Sequence, residues 1–394
     1  MKIKIGEYIR NELPRLTEMA DWIFDHPELA FHEYQAAKIL EDYLEAHGFS
    51  VERGLGKFDT AFRAEYRQGK DGIRIGLLCE YDALPKGHAC GHHLQGPAIV
   101  GAAVAIKELF QGLSYDLIVY GTPAEEGKGG KILLLQEGFL KDMDVALMMH
   151  GGPATQTDIK SMAKISASVK FYGKSSHAAL NPENGRSALD ALLLSCQGLE
   201  FLREHVRDDS RIQYIISQGG TAVNVVPDLA VGEFSLRSYD SSYLDELIRR
   251  FEQVIKGAAI MTETKYEIFY HLRTEGKIPA ICLNDLLMEN ARYYGAPNRK
   301  PARERTGSTD FANVMHKIPG SCIRIAFVPE GRASHSQEFL DAGKSEAAHK
   351  AVMYGSEILA AAIYDLISKK EIWEKVKQDY ERRKQAAEKT SGRH

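Results

Sequence analysis

Between residues 6 and 48 the apolar positions Leu16, Met19, Ile23, Ala36, Leu40, Tyr43 and Leu44 recur mostly at three- and four-residue spacing, the period of an amphipathic helix. His26-Pro27 interrupts the pattern, because proline lacks a backbone donor and clashes with the turn before it. Gly48 supplies a stop. Apolar runs then alternate with helical patterns: strands over 73–79, 117–120 and 145–149, and helices over 96–110 and 131–137. This order predicts an α/β sheet with functional residues at the carboxyl ends of its strands.

Near residue 161 the rhythm changes. Strand-like runs at 165–171, 212–217 and 230–236 and helical patterns at 187–204 and 241–258 make a βαββα unit. The expectation is a discontinuous first domain, 1–163 with 273–394, carrying an inserted α+β domain over 164–272. A strand-like run at 323–328 and a helix over 345–367 follow, and the mixed-charge tail 369–394 is expected to be a solvated helix or a frayed end.

A chain of 394 residues exceeds the usual single domain. With 44% hydrophobic and 26% charged residues and a formal charge of -4, it is ordinary for a globular protein and has no whole-chain attraction to nucleic acid or anionic membrane. Residues 1–10 mix apolar and basic types without the run of a secretory signal, and no segment approaches the ~20 apolar residues of a membrane span. Cys79, Cys90, Cys196, Cys282 and Cys322 form an odd set without regular spacing, which suits a reducing compartment. A cytoplasmic location is expected, with small molecules or copies of the chain as partners.

Candidate chemistry is densest at His88-Ala89-Cys90-Gly91-His92-His93, after the strand ending at Cys79 and the turn Tyr81-Asp82-Ala83-Leu84-Pro85. Thiolate and imidazole are good ligands for zinc and its neighbours, although spacing alone does not choose which side chains bind. Alone, the cluster reads first as a small buried cysteine beside surface histidines. Glu125-Glu126 follows the strand at 117–120, and adjacent carboxylates at a strand end can divide labour between metal ligand and general base. His150 follows the run 145–149, and His335 sits in Ala333-Ser334-His335-Ser336 after another strand-like run. Each has a bland reading as a cap or an exposed loop residue. Several strand-end loops offering Cys, His and Glu together are what a metal-assisted hydrolase needs.

These segments resemble the metal-dependent aminoacylase and carboxypeptidase superfamily, specifically its amidohydrolase branch of hippurate, auxin-conjugate, aminobenzoyl-glutamate and dipeptide hydrolases. The resemblance is carried by His26-Pro27-Glu28-Leu29, 80–85, 87–92, 123–126, His150-Gly151, 173–177, 219–227, 307–311 and 334–336, nearly the whole chain. It implies a zinc-peptidase-like α/β catalytic domain with an inserted lid or dimerisation domain, and a homodimer or higher homo-oligomer. It implies two divalent ions, zinc or manganese first, with cobalt or nickel accommodated. By motif Cys90 is the bridging thiolate, His92, Glu126, His150 and His335 are the other ligands, and Glu125 is the general base. Asp82 supports the metal site, His177 and Asn224 serve as lid residues stabilising the oxyanion, and Arg237 grips the substrate carboxylate. The implied reaction is hydrolysis of the amide of an N-acyl amino acid, a dipeptide or a related conjugate. Region 307–311 leans toward the dipeptide and aminobenzoyl-glutamate side. The alternative is a non-catalytic homologue that binds a peptide or metabolite. The chain departs from the branch at His93, where Asp or Asn is usual, and in a shorter loop at Lys86-Gly87-His88.

Overall fold

A computed structural model describes residues 1–391, with side chains through Glu388. The described chain forms two compact units, Met1–Lys160 with Lys277–Ala387, and Ser161–Gly276. The divisions fall a few residues outside the expected 164 and 272. Lys164 and Thr274 pair in an antiparallel bridge, their N–H groups donating at 2.8 and 2.9 Å, so both flanks belong to the second unit.

The first unit opens with helices α1 (Lys2–Asp25) and α2 (Tyr34–Ala46), then β1 (Ser50–Leu55), β2 (Phe58–Gln68), β3 (Ile73–Cys79), α3 (His92–Leu109), β4 (Tyr115–Gly121), the short α4 (Glu125–Lys128), α5 (Gly130–Gln136) and β5 (Val145–Gly152). The second unit holds β6 (Ala163–Tyr172), α6 (Ala188–Arg203), β7 (Arg211–Gln218), β8 (Leu229–Ser238), α7 (Ser241–Met261) and β9 (Lys265–Tyr270). The chain returns to the first unit with α8 (Ile281–Tyr293), α9 (Phe311–Met315), β10 (Gly320–Ala326), α10 (Gln337–Asp341), α11 (Glu346–Ser368) and α12 (Lys370–Ser391).

The first sheet runs β1-β2-β4-β3-β5-β10. Its four strands β4, β3, β5 and β10 are parallel, and β2 and β1 extend one edge antiparallel. Strands β3 from Ile75 and β5 through Met149 read as apolar runs because helices cover both faces of a parallel sheet. Helix α3 is buried along most of its length, against α1 and α11. Among the described residues α11 is the one helix long and apolar enough to cross a membrane, and 72% of its apolar window is buried in the protein.

The second unit is an antiparallel sheet of order β7-β8-β6-β9 with α6 and α7 on one face. Along β8 each second residue is buried, Ala230, Gly232, Phe234 and Leu236, which puts Glu233, Ser235 and Arg237 on the other face.

Three expectations need correction. Helix α3 begins at His92, four residues before the periodic apolar pattern, so His92 and His93 lie in its first turn and not in a loop. Strand β5 continues through His150 to Gly152, so His150 is a strand residue. The tail is a docked helix: Val376 and Tyr380 are buried in the main core, and Tyr380 Oη donates to Met315 O at 2.9 Å. Strands β1, β2 and β9 carry many polar residues and give no clear signal in the apolar pattern.

Candidate metal centre

The site is assembled where β3, β4 and β5 end. After β3 the chain passes Glu80 and Asp82 and is held at Ala83, whose N–H donates to Glu28 O at 2.8 Å. The Glu28 carboxylate accepts the N–H groups of Gln35 (2.9 Å) and Ala36 (3.0 Å), satisfying the first turn of α2. The motif His26-Pro27-Glu28-Leu29 thus ties helix α2 to the Asp82 loop. Gly91 follows Cys90 with φ +86°, the left-handed region that glycine enters without penalty, and α3 starts at His92. This kink places Cys90 and His92 on either side of a helix start.

After β4, Ala124 has φ +61°, and Glu126 and Gly127 have non-helical dihedrals, so α4 is in substance a turn that presents Glu125 and Glu126. Gly130 lets this turn close on itself, since a Cβ there would lie 1.7 Å from Pro123 O. His335 also has a left-handed backbone, φ +69°. Its N–H donates to Ala89 O at 2.8 Å and Lys86 Nζ donates to its carbonyl, so the loop before Cys90 locks this conformation.

Ligand-type atoms gather in overlapping groups, each within 4.8 Å: Cys90 with His92 and His150, Cys90 with Glu126 and His335, and His92 with Glu125 and Glu126. Cys90 Sγ lies 3.6 Å from His150 Nε2, and His335 Nε2 lies 3.0 Å from Glu126 Oε1. His92 Nδ1 faces Asp82 Oδ1 at 3.1 Å and Asp82 O at 3.0 Å. This pairing makes Nδ1 the donor and leaves Nε2 its lone pair. That Nε2 is buried without a hydrogen-bond partner. Asp82 Oδ2 accepts Glu126 N–H at 2.8 Å, so one carboxylate orients both His92 and the Glu126 turn.

A divalent cation fits this donor set. A buried imidazole nitrogen without a hydrogen-bond partner, 3.4 Å from Glu80 Oε2, converges with a thiol, two further imidazoles and carboxylates, and soft and borderline donors of this kind suit zinc and neighbouring metals. Burial pushes the Cys90 thiol up to about 12 and lowers the His150 pKa, aided there by the positive charge of Arg324. A bound cation works in the opposite direction on a thiol. Burial also raises the Glu125 pKa well above the usual carboxylate range, reinforced by the like charges of Glu80 and Asp310.

One residue at the site, Lys131, carries no motif in the sequence. Lys131 is fully buried, donating to Asp310 Oδ1 at 2.8 Å and to Glu80 Oε1. Burial opposes its charge, but Asp310 and Glu80 override this and raise its pKa. A lysine beside the apolar stretch Ile132-Leu133-Leu134-Leu135 is the available signal. His93 donates to or accepts from no ligand-type residue in the site. Its Nε2 meets Gly343 O at 2.9 Å and its ring packs edge-on against Phe24 at 4.8 Å.

A cavity of about 290 Å³ opens on this cluster, lined by Cys90, Glu125, Glu126, His150 and His335, and also by Arg303. His177, Asn224 and Arg237 belong to the second unit. There the segments of His177 and Asn224 are joined: His177 bridges Val225, and Ala178 N–H donates to Asn224 O at 3.0 Å. Both residues are exposed. Arg237 is half-buried, with Nε 3.4 Å from Ser235 Oγ.

The α/β fold and a Cys/His/Glu donor set at its strand ends define a metal-dependent hydrolase. Residues 77–365 match the profile of peptidase family M20/M25/M40, and the chain belongs to that family. It is similar to one of the subunits of the p-aminobenzoyl-glutamate hydrolase of Escherichia coli K12, 35% identical over 315 residues covering 74% of this chain and 65% of that protein. It therefore spans a little under two thirds of that relative's length. It is 30% identical to the Xaa-Arg dipeptidase of Homo sapiens over 408 residues, 96% of this chain and 92% of that protein. In fold it resembles the crystal structure of a Bacillus subtilis dinuclear metal binding peptidase of the M20 family, with TM-score 0.69 and 21% identity over 91% of this chain and 99% of that one.

Proposed function

We propose that this protein hydrolyses the amide bond of small N-acyl amino acids, dipeptides or related conjugates, with two divalent ions held by Cys90, His92, Glu126, His150 and His335. The observation that carries the reading is the sharing of Cys90 between two ligand groups, His92 with His150 on one side and Glu126 with His335 on the other. A thiolate can bridge two cations, and the same donor set accommodates zinc or manganese, and cobalt or nickel after them. When bound, such a pair polarises an amide carbonyl and acidifies water.

The protein's own residues supply the rest. Glu125 is the general base, taking a proton from water and delivering it to the leaving amine. Its place beside His92 and Glu126, which are assigned to the ions, supports the role. Asp82 orients the His92 ring and the Glu126 turn. His177 and Asn224, adjacent in the second unit, act as donors to the tetrahedral oxyanion, and Arg237 holds a substrate carboxylate. The second unit is then a lid or dimerisation domain, and the working form is a cytoplasmic homodimer or larger homo-oligomer. The names of the two curated relatives support a small amino-acid conjugate as substrate.

The test joins elemental analysis of gently purified protein to detection of amine release from a panel of N-acyl amino acids and dipeptides. About two metal ions per chain with chelator-sensitive release, abolished in Glu125→Gln without loss of metal, is the expected result. Metal-free protein that releases no amine after reconstitution overturns the reading in favour of a binding protein, and full activity in Glu125→Gln overturns the base assignment.

A further inference from the structure

Away from the ligand groups, the same cavity is lined by Lys277, Arg303 and Arg324. All three meet one buried carboxylate, Asp158: Lys277 Nζ at 2.8 Å, Arg303 Nε at 2.7 Å and Arg324 Nε at 3.5 Å. Burial opposes ionisation of Asp158, but Lys277, Arg324 and Arg303 override it and hold its pKa down, so the carboxylate is charged.

The three cations have different tasks. Arg324 lies beside His150 across the parallel β10–β5 pair, and its Nη1 reaches His150 Nδ1 at 3.0 Å. Arg303 uses only Nε on Asp158, and its Nη2 is enclosed without a hydrogen-bond partner. Its backbone is fixed on both sides, Arg303 N–H donating to Thr157 O and Ile159 N–H to Arg303 O, each at 2.8 Å. A guanidinium in the lining of a cavity, anchored by its backbone and by Nε and with Nη2 still unpaired, is preorganised to take a carboxylate.

We propose that Arg303, positioned by Asp158, binds the side-chain carboxylate of an acidic substrate, and that the neighbouring charges of Lys277 and Arg324 make the cavity selective for acidic amino-acid conjugates over basic ones. This deepens the hydrolase reading and rests on it for the word substrate, though binding of the anion does not depend on turnover. A basic side chain entering here meets like charge, which disfavours it.

The experiment compares wild type, Arg303→Gln and Asp158→Asn, all with native metal content verified, on N-acetyl-glutamate, N-acetyl-glutamine and N-acetyl-lysine. Binding of free glutamate and free lysine is followed in parallel by calorimetry. The expected result is preference for glutamate in both assays. Arg303→Gln should raise KM for N-acetyl-glutamate about 10- to 100-fold at similar kcat, the loss of one charge-assisted pair, with little change for N-acetyl-glutamine. Asp158→Asn, which frees Arg303 to move, should weaken glutamate binding in the same direction. Equal handling of the acidic and basic compounds by wild type, or unchanged glutamate binding in Arg303→Gln, overturns the inference while leaving hydrolysis intact. Arg303-dependent glutamate binding without any amide cleavage upholds the inference and sinks the hydrolase reading instead.

Discussion

Glu33 Oε1 accepts the backbone N–H of Ala124 at 2.9 Å, joining the start of α2 to the residue that immediately precedes Glu125. Ala124 has φ +61°, a left-handed conformation that costs a non-glycine residue ~1–2 kcal/mol. Glu33 is fully buried, its other oxygen accepts Thr60 Oγ1 at 3.0 Å, and burial pushes its pKa up to about 7. Replacing Glu33 by Ala should lower stability by ~1–3 kcal/mol, the cost of a buried N–H left without its acceptor, and reduce kcat by loosening the turn. Glu33→Gln keeps an oxygen for Ala124 and should restore most of both. Thermal melts with steady-state kinetics decide it, and wild-type kcat in Glu33→Ala would remove Glu33 from any positioning role.

Lys131 lies between Glu80 and Asp310 with no exposed surface. Lys131→Met should cost ~3–5 kcal/mol in urea unfolding, because it leaves two buried carboxylates facing each other without a cation. Adding Asp310→Asn to that variant should recover part of the loss. A single variant as stable as wild type would mean that one of these carboxyls is already neutral.

Removal of metal should lower Tm, since a cation that binds only the folded chain stabilises it by mass action. Zinc or manganese added back should restore Tm in wild type and not in Cys90→Ala. Equal recovery in both proteins, followed by scanning calorimetry, would show that Cys90 is not a ligand.

His177→Ala should lower kcat by ~10²–10³ while bound metal stays at the wild-type level, as expected for an oxyanion donor. Loss of metal would make His177 a ligand, and unchanged kcat would remove it from the reaction.

Glu357 is buried in α11, facing Arg10 at 2.9 Å, and burial raises its pKa to about 7 although Arg10 pulls it down. Tyr294, whose own pKa is raised first by burial and then by Glu357, is also near. With a folded pKa above the unfolded value, the folded protein binds the extra proton between about pH 4.5 and 7. Stability contributed by this group is therefore full below pH 4.5 and is lost as pH rises through 7. The Tm of Glu357→Gln relative to wild type should thus improve between pH 5 and pH 8. A constant difference over that range would mean that Glu357 titrates normally.

The legible parts of the fold share one physical origin. Strand β3 is readable because both of its faces are buried from Ile75 onward, which leaves Arg74 as the one charged residue in an otherwise apolar run. Strands β1 and β2, the antiparallel end of the sheet, are silent because their many polar and partly exposed residues blur the alternation. The start of α3 is hidden because Gly91, His92 and His93 carry no apolar period, and only the left-handed Gly91 marks the turn. The tail reads as solvated by its charges, while two residues on one stripe, Val376 and Tyr380, bury it.

The alternation of strands and helices, the change of rhythm that marks the second unit, and the residue types able to hold a cation are all written within short windows of the chain, and no fold is needed to read them. Other relationships exist only once the chain is folded: Cys90 stands between two ligand groups, Asp82 serves His92 and Glu126 together, and Lys131 reaches across 51 and 179 positions to Glu80 and Asp310. Folding likewise brings Arg303 to Asp158, 145 positions away, in the lining of the cavity. Local periodicity reports which face of an element is buried. Contacts between loops at the ends of different strands leave no periodic trace, because they depend on the order of strands in the sheet, which backbone pairing sets across long separations.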